Sequence, residues 1–134
     1  MNSIFYKKGY EYQLERDYTT YVGFDGKWGG NDFVWLNPSG FLLLKRGYAW
    51  DGPSGPAIHT PNFLRGSLIH DALYQLIRLK VLALEDRAEA DLILKAAVLE
   101  DGMNPLRAWW VHQAVKTFGE MYMRNKQDGI LVAP

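Results

Sequence analysis

The sequence predicts an α+β domain, with an N-terminal antiparallel β-sheet of meander or hairpin type followed by three α-helices. Three observations carry this expectation. Up to about Trp50 the chain is short-period, aromatic-rich and punctuated by glycine, a pattern of strands and turns. From Thr60 onward apolar residues recur at helical spacing. No internal repeat, low-complexity tract or linker interrupts the 134 residues, a length that suits one domain around one core. The division expected is a β-rich part over 1–50, a loop over 51–60, a helical part over 61–127 and a tail over 128–134.

Taken in order, Tyr10-Glu11-Tyr12-Gln13-Leu14-Glu15 alternates at the strand period. Gly23–Asn31, with four glycines, reads as a loop. Phe33–Leu36 and Phe41–Leu44 flank Asn37-Pro38-Ser39-Gly40, whose proline and glycine suit a tight turn between hairpin strands. Thr60 can cap a first helix with Pro61 at its first position. Leu64, Leu68, Ala72 and Leu76, with Ile69, Leu73 and Ile77, then form a wide apolar face. A second helix is expected from Leu84 or Glu85 to Asp101, stopping at Gly102. A third begins at Asn104-Pro105 and carries Leu106, Trp109, Trp110, Ala114, Phe118 and Tyr122.

Composition excludes several classes of function. Fifteen basic residues balance fifteen acidic ones, six of each up to Thr60 and nine of each after it. No basic face is therefore expected to neutralise phosphates, and nucleic acid is not an expected partner. The absence of cysteine rules out disulfides and thiol chemistry and points toward cytosolic synthesis. Met1–Lys8 lacks the apolar core of a signal peptide, and the apolar runs are too short to span a bilayer. Five Trp, eight Tyr and six Phe exceed what a small core needs; burial is expected for most, with some left to line a groove.

Three segments can carry chemistry. In Tyr48-Ala49-Trp50-Asp51-Gly52-Pro53-Ser54-Gly55-Pro56, two glycines and two prolines fix a bent backbone. Its carbonyls, with Asp51 and the Ser54 hydroxyl, can form an oxygen cage for a hard cation, or the segment is a rigid corner. In His70-Asp71-Ala72-Leu73-Tyr74, the adjacent residues His70 and Asp71 lie about 100° apart on a helix, and Tyr74 sits one turn beyond His70. Histidine is the natural general base near neutral pH, and the neighbouring carboxylate can hold a cation. The alternative is a hydrogen-bonded core histidine beside a solvated charge. Asp91, third, can orient an imidazole, or belong to a surface ion-pair ladder with Arg87 and Lys95. His59 adjoins the turn and can contact a ligand or metal, whereas His112 reads as structural. Ser67 carries no mark of a nucleophile, and no metalloprotease, phosphate-loop or nucleophile-elbow motif is present.

Together, Gly47–Pro56, His70–Tyr74, Arg87–Asp91 and Ala114–Gly119 resemble an uncharacterised protein family found mostly in tailed bacteriophages and prophages. The likeness runs over roughly Gly40–Gly119 and implies no established activity. More distantly, the glycine-containing loop, the His-Asp-x-x-Tyr motif and a later aspartate resemble phospholipases A2 of bacterial and parvoviral type. That likeness implies that His70 activates a water, Asp91 orients it and Tyr74 supports the network. It implies calcium held by Asp71 with Asp51, Gly52 and Gly55 of the loop. The motif-flanking cysteines of disulfide-bonded members are missing, as in the viral forms, and about fifty residues of β structure precede the loop.

Three functions follow as expectations. The first is a calcium-dependent ester hydrolase acting on phospholipid, with Trp109 and Trp110 as an interface anchor if exposed, although a core role is expected for them. Weak calcium affinity would keep it silent in the host cytoplasm and active after release or in a virion. The second is a non-enzymatic phage protein, a virion component, assembly factor or host inhibitor, in which His70 bonds Asp91 as a brace and the aromatic surplus meets other virion proteins. The third is a zinc or iron site that adds His59.

Overall fold

The computed structural model describes residues 4–7, 12–50 and 61–127. The fold is α+β, with antiparallel strands first and three helices after them. The strands form two sheets rather than the single one expected. Strands β1 (Tyr6–Lys7), β2 (Tyr12–Leu14) and β7 (Ala49–Trp50) make the first, in the order β1-β2-β7. Strands β3 (Tyr18–Tyr21), β4 (Gly29–Gly30), β5 (Val34–Leu36) and β6 (Phe41–Leu44) make the second, in the order β3-β6-β5-β4. Asp17, just before β3, separates the two, its carboxylate accepting from the Arg46 amide at 2.8 Å.

The hairpin expected between Phe33 and Leu44 is present as β5–β6, with Trp35 opposite Leu43. Asn37 Oδ1 fixes its turn by accepting from the amides of Ser39 and Phe41, both at 3.0 Å. Gly40 is required there: its φ is +93°, and a Cβ would lie 2.8 Å from the Tyr21 ring. The Gly23–Asn31 loop is corrected in one place, because Gly29 and Gly30 pair with Leu36 and Trp35 as β4. Alternation makes the second sheet one-sided. Tyr18, Val34, Leu36, Leu42 and Leu44 point into the core, while Tyr21, Trp35 and Phe41 face outward.

Helix α1 spans Pro61–Arg78, α2 spans Arg87–Glu100 and α3 spans Pro105–Gln127. The expected start of the second helix near Leu84 is a single 3₁₀ turn over Leu84–Asp86, from which α2 continues. Asp86 anchors that turn, accepting from the Ala83 amide at 2.8 Å and pairing with Lys27 at 2.6 Å. Gly102, at φ +95°, follows α2, and Asn104 Oδ1 caps α3 by accepting from the Leu106 amide at 2.9 Å. The apolar stripe of α1, including Leu64, Leu68, Ala72, Leu73 and Leu76, is buried against the sheets. A smaller cluster of Phe63, Leu94, Val98, Met103, Ala108 and Val111 joins the three helices.

Two features set α1 against α2. Gly66 has no side chain where a Cβ would meet Leu94 Cδ1 and Val98 Cγ1 at 2.8 Å each, so the helices approach closely there. Arg65 then staples the neighbouring turn: its Nε donates to Asp101 at 2.9 and 3.1 Å, its Nη1 to Tyr18 at 3.2 Å, and its Nη2 lies 3.1 Å from Glu100. Burial opposes this guanidinium's charge, but Asp101 and Tyr18 outweigh it and hold its pKa above the ordinary value. Among the described residues, no helix is long and apolar enough to cross a membrane.

Candidate active site

The close approach at Gly66 decides what α1 and α2 present to each other. One turn after Gly66 stands His70, and one turn before Leu94 stands Asp91, so antiparallel packing brings the two together. His70 Nε2 lies 2.7 Å from Asp91 Oδ1, and the Tyr74 hydroxyl donates to the same oxygen at 2.9 Å. The His70 and Tyr74 rings lie 4.3 Å apart at 35°. Asp91 is only 1% exposed, which overturns the surface-ladder alternative for it. The His70 side chain keeps 12% exposure at the edge of the pair.

The partners fix the chemistry of the ring. A carboxylate only accepts, so Nε2 carries the proton and Nδ1 carries the lone pair. A buried carboxylate on a histidine also stabilises the imidazolium formed when Nδ1 takes a proton. Asp91 Oδ2 is buried without a hydrogen-bond partner among the described residues. Tyr74 is a firm donor: burial, and then the Asp91 carboxylate, push its pKa well above the ordinary phenol value, with Arg87 opposing weakly.

Asp71 follows His70 on α1 and is half-buried. Its charge reaches Tyr48, whose pKa burial chiefly raises; Arg78 acts the other way. The Trp50 indole donates to Ser67 Oγ at 3.0 Å, and Ser67 donates to the Leu64 carbonyl at 2.8 Å. Ser67 is therefore a structural hydroxyl. It anchors the end of β7 one helical turn before Asp71. Asp51, Gly52, Gly55, Ser54 and His59 lie outside the described residues. Among the described residues, no three His, Asp or Glu side chains converge as a metal site.

Three residues that no sequence feature assigned a role in the site stand at it. Gly119 of α3 lies against Tyr74 and Arg87: a Cβ there would sit 2.8 Å from the Tyr74 hydroxyl and 3.3 Å from Arg87 Cδ. A glycine inside a helix is the signal that marks such a contact. Tyr48, near Asp71, is the second, and Arg87, beside Tyr74, is the third. His112 of α3 is half-buried; desolvation first, then Lys95, lower its pKa, Asp91 acts the other way and Lys116 adds a smaller lowering. The core role expected for Trp109 and Trp110 is overturned, since they are 50% and 64% exposed. They fall on the outer face of α3 because Ala108 and Val111 take its inner one.

A family model described as "Protein of unknown function (DUF1353)" matches residues 31–115, from the β4–β5 region into α3, and the chain belongs to that family. No curated protein and no solved structure matches the chain.

Proposed function

We propose that this member of a family of unknown function is an ester hydrolase acting on phospholipid or a related acyl substrate, with His70 as general base. The observation that carries the reading is the 2.7 Å contact of His70 Nε2 with the buried Asp91, shared with Tyr74. It fixes the tautomer that leaves Nδ1 as a base. In the proposed reaction Nδ1 takes a proton from water as the water oxygen bonds to the ester carbonyl carbon. Collapse breaks the bond to the alcohol oxygen, and His70 returns its proton to that leaving group. One water is consumed, and an acid and an alcohol are released. Such a base contributes about 10²–10⁴-fold.

Calcium, when bound, would supply positive charge for the carbonyl oxygen. Asp71 is the described residue suited to hold it, and the anchoring of Trp50 on Ser67 supports a role for Asp51, Gly52 and Gly55 beside it. Two carboxylates among backbone oxygens suit a hard cation. The resemblance to a family found mostly in tailed phages and prophages supports action in a virion or lysate, where a weak calcium site would fill.

The second reading is a non-catalytic virion, assembly or host-interaction protein in which His70, Tyr74 and Asp91 brace α1 against α2. The near-complete burial of Asp91 favours it. One experiment separates the two. Fatty-acid release from dihexanoylphosphatidylcholine, a monomeric substrate, is followed by mass spectrometry with calcium or with EDTA. Calcium-dependent release that falls at least a hundredfold in His70→Gln, at unchanged circular dichroism, is expected. No release, or release indifferent to His70→Gln, would leave the bracing reading.

A further inference from the structure

We infer that the first turns of α3, with the end of α2, form a docking surface for an anionic lipid bilayer. Leu106, Trp109 and Trp110 stand at i, i+3 and i+4, so their side chains share one face. They are 71%, 50% and 64% exposed, and Leu99, in the last turn of α2, is also exposed. Contiguous large apolar side chains in water mark a surface that meets something. Tryptophan beside leucine at a helix edge suits the boundary between acyl chains and headgroups, where an indole is apolar in body and polar at its N–H.

Charge selects the kind of surface. Residues 105–119 contain Arg107 and Lys116 but no Asp or Glu. At the preceding corner Arg65 pairs with both Glu100 and Asp101, which leaves one negative charge there. Lys95 also stands close enough to His112 to act on it. Lys95, Arg107 and Lys116 outweigh that single charge, so the corner is apolar at its tip and net positive along its flank, complementary to phosphatidylglycerol-type headgroups. The aromatic face of the second sheet differs: there Trp28 meets Trp35 at 6.1 Å, and nearby Lys27 is neutralised by Asp86 at 2.6 Å.

This surface deepens the hydrolase reading, because it lies on the helix whose Gly119 abuts Tyr74. Trp110 and Gly119 are about 14 Å apart along the helix axis. Binding is nevertheless measured without turnover. Full-length protein is floated in EDTA with vesicles of equal phosphatidylglycerol and phosphatidylcholine, and with vesicles of phosphatidylcholine alone. Wild type is expected to bind the anionic vesicles at least tenfold more tightly. Trp109→Ala/Trp110→Ala should lose at least tenfold, Arg107→Glu should weaken binding further at low salt, and Trp28→Ala/Trp35→Ala should bind as wild type. Absence of vesicle binding, equal binding to both vesicle types, or loss only in the sheet variant would overturn the inference. Release from dihexanoylphosphatidylcholine without vesicle binding would sink this surface and spare the hydrolase; binding without any release would do the reverse.

Discussion

Replacing Asp91 by alanine tests whether α1 and α2 are held by the carboxylate at their centre. The wild-type oxygen accepts from His70 at 2.7 Å and from Tyr74 at 2.9 Å. Each hydrogen bond to a charged group contributes about 1.5–3 kcal/mol, and removing one partner of a buried pair costs about 3–5 kcal/mol in total. Alanine strands the Tyr74 hydroxyl, which is buried, and leaves a small void between the helices. A loss of about 3–5 kcal/mol is therefore expected, a large share of the roughly 5–15 kcal/mol that keeps a domain folded. Tyr74→Phe removes one donor and should cost about 1–2 kcal/mol. Combined with Asp91→Ala it removes the stranded hydroxyl as well, so the double variant should cost about 1–2 kcal/mol less than the two singles added together. Urea unfolding at constant m, followed by tryptophan fluorescence, measures all four corners of the cycle. A loss under about 1 kcal/mol for Asp91→Ala, or strict additivity, would refute the reasoning.

Three further outcomes follow from the packing. Tyr48 and Tyr74 keep their protons in the folded state above the pH, near 10, at which they lose them when unfolded. The folded state then binds more protons, so stability is whole below pH 10 and declines above it. The slope is about 1.4 kcal/mol per pH unit for each tyrosine, and urea titrations at pH 9 to 11 should show Tyr48→Phe roughly halving the tyrosine contribution. Lys80, two residues past the end of α1, has φ +65°, with the Val81 amide bonded to the Leu76 carbonyl at 2.9 Å, a position where glycine is at ease. Lys80→Gly should gain about 1 kcal/mol in the same assay, and a loss would contradict the strain. Gly66→Val should cost about 1–3 kcal/mol by pushing Leu94 and Val98 away. It should also lower any His70-dependent hydrolysis, because the same contact sets the approach of Asp91; unchanged stability would show that the helices absorb the side chain.

Much of this architecture was legible because it rests on local periodicity. The β5–β6 hairpin follows from Asn37-Pro38-Ser39-Gly40, α1 from its apolar spacing, and the end of α2 from Gly102. His70, Tyr74 and Asp91 were identifiable as residue types at suggestive spacing. Their convergence was not, since it depends on where Gly66 lets two helices meet. The split into two sheets escaped for a similar reason: β7 returns to β2 across more than thirty residues, and no local pattern encodes that pairing. Trp109 and Trp110 misled because aromatic residues on a helix usually mark its inner face. Here the small residues Ala108 and Val111 do so instead.

The return of β7 to β2 has a consequence for the order in which the molecule assembles. Tyr12 pairs with Trp50 and Gln13 with Ala49, contacts that close a long loop containing the whole second sheet. Closing so many residues at once is entropically slow, whereas the β5–β6 hairpin closes over four residues of turn. The hairpin therefore belongs early in folding and the β2–β7 junction late. Trp50 reaches Ser67 only when that junction is made, so β7 is set against α1 in the final stage. A nascent chain would hold His70 on an already formed helix well before β7 reached Ser67 on that helix, and whatever chemistry this corner performs would begin only with the last closure of the fold.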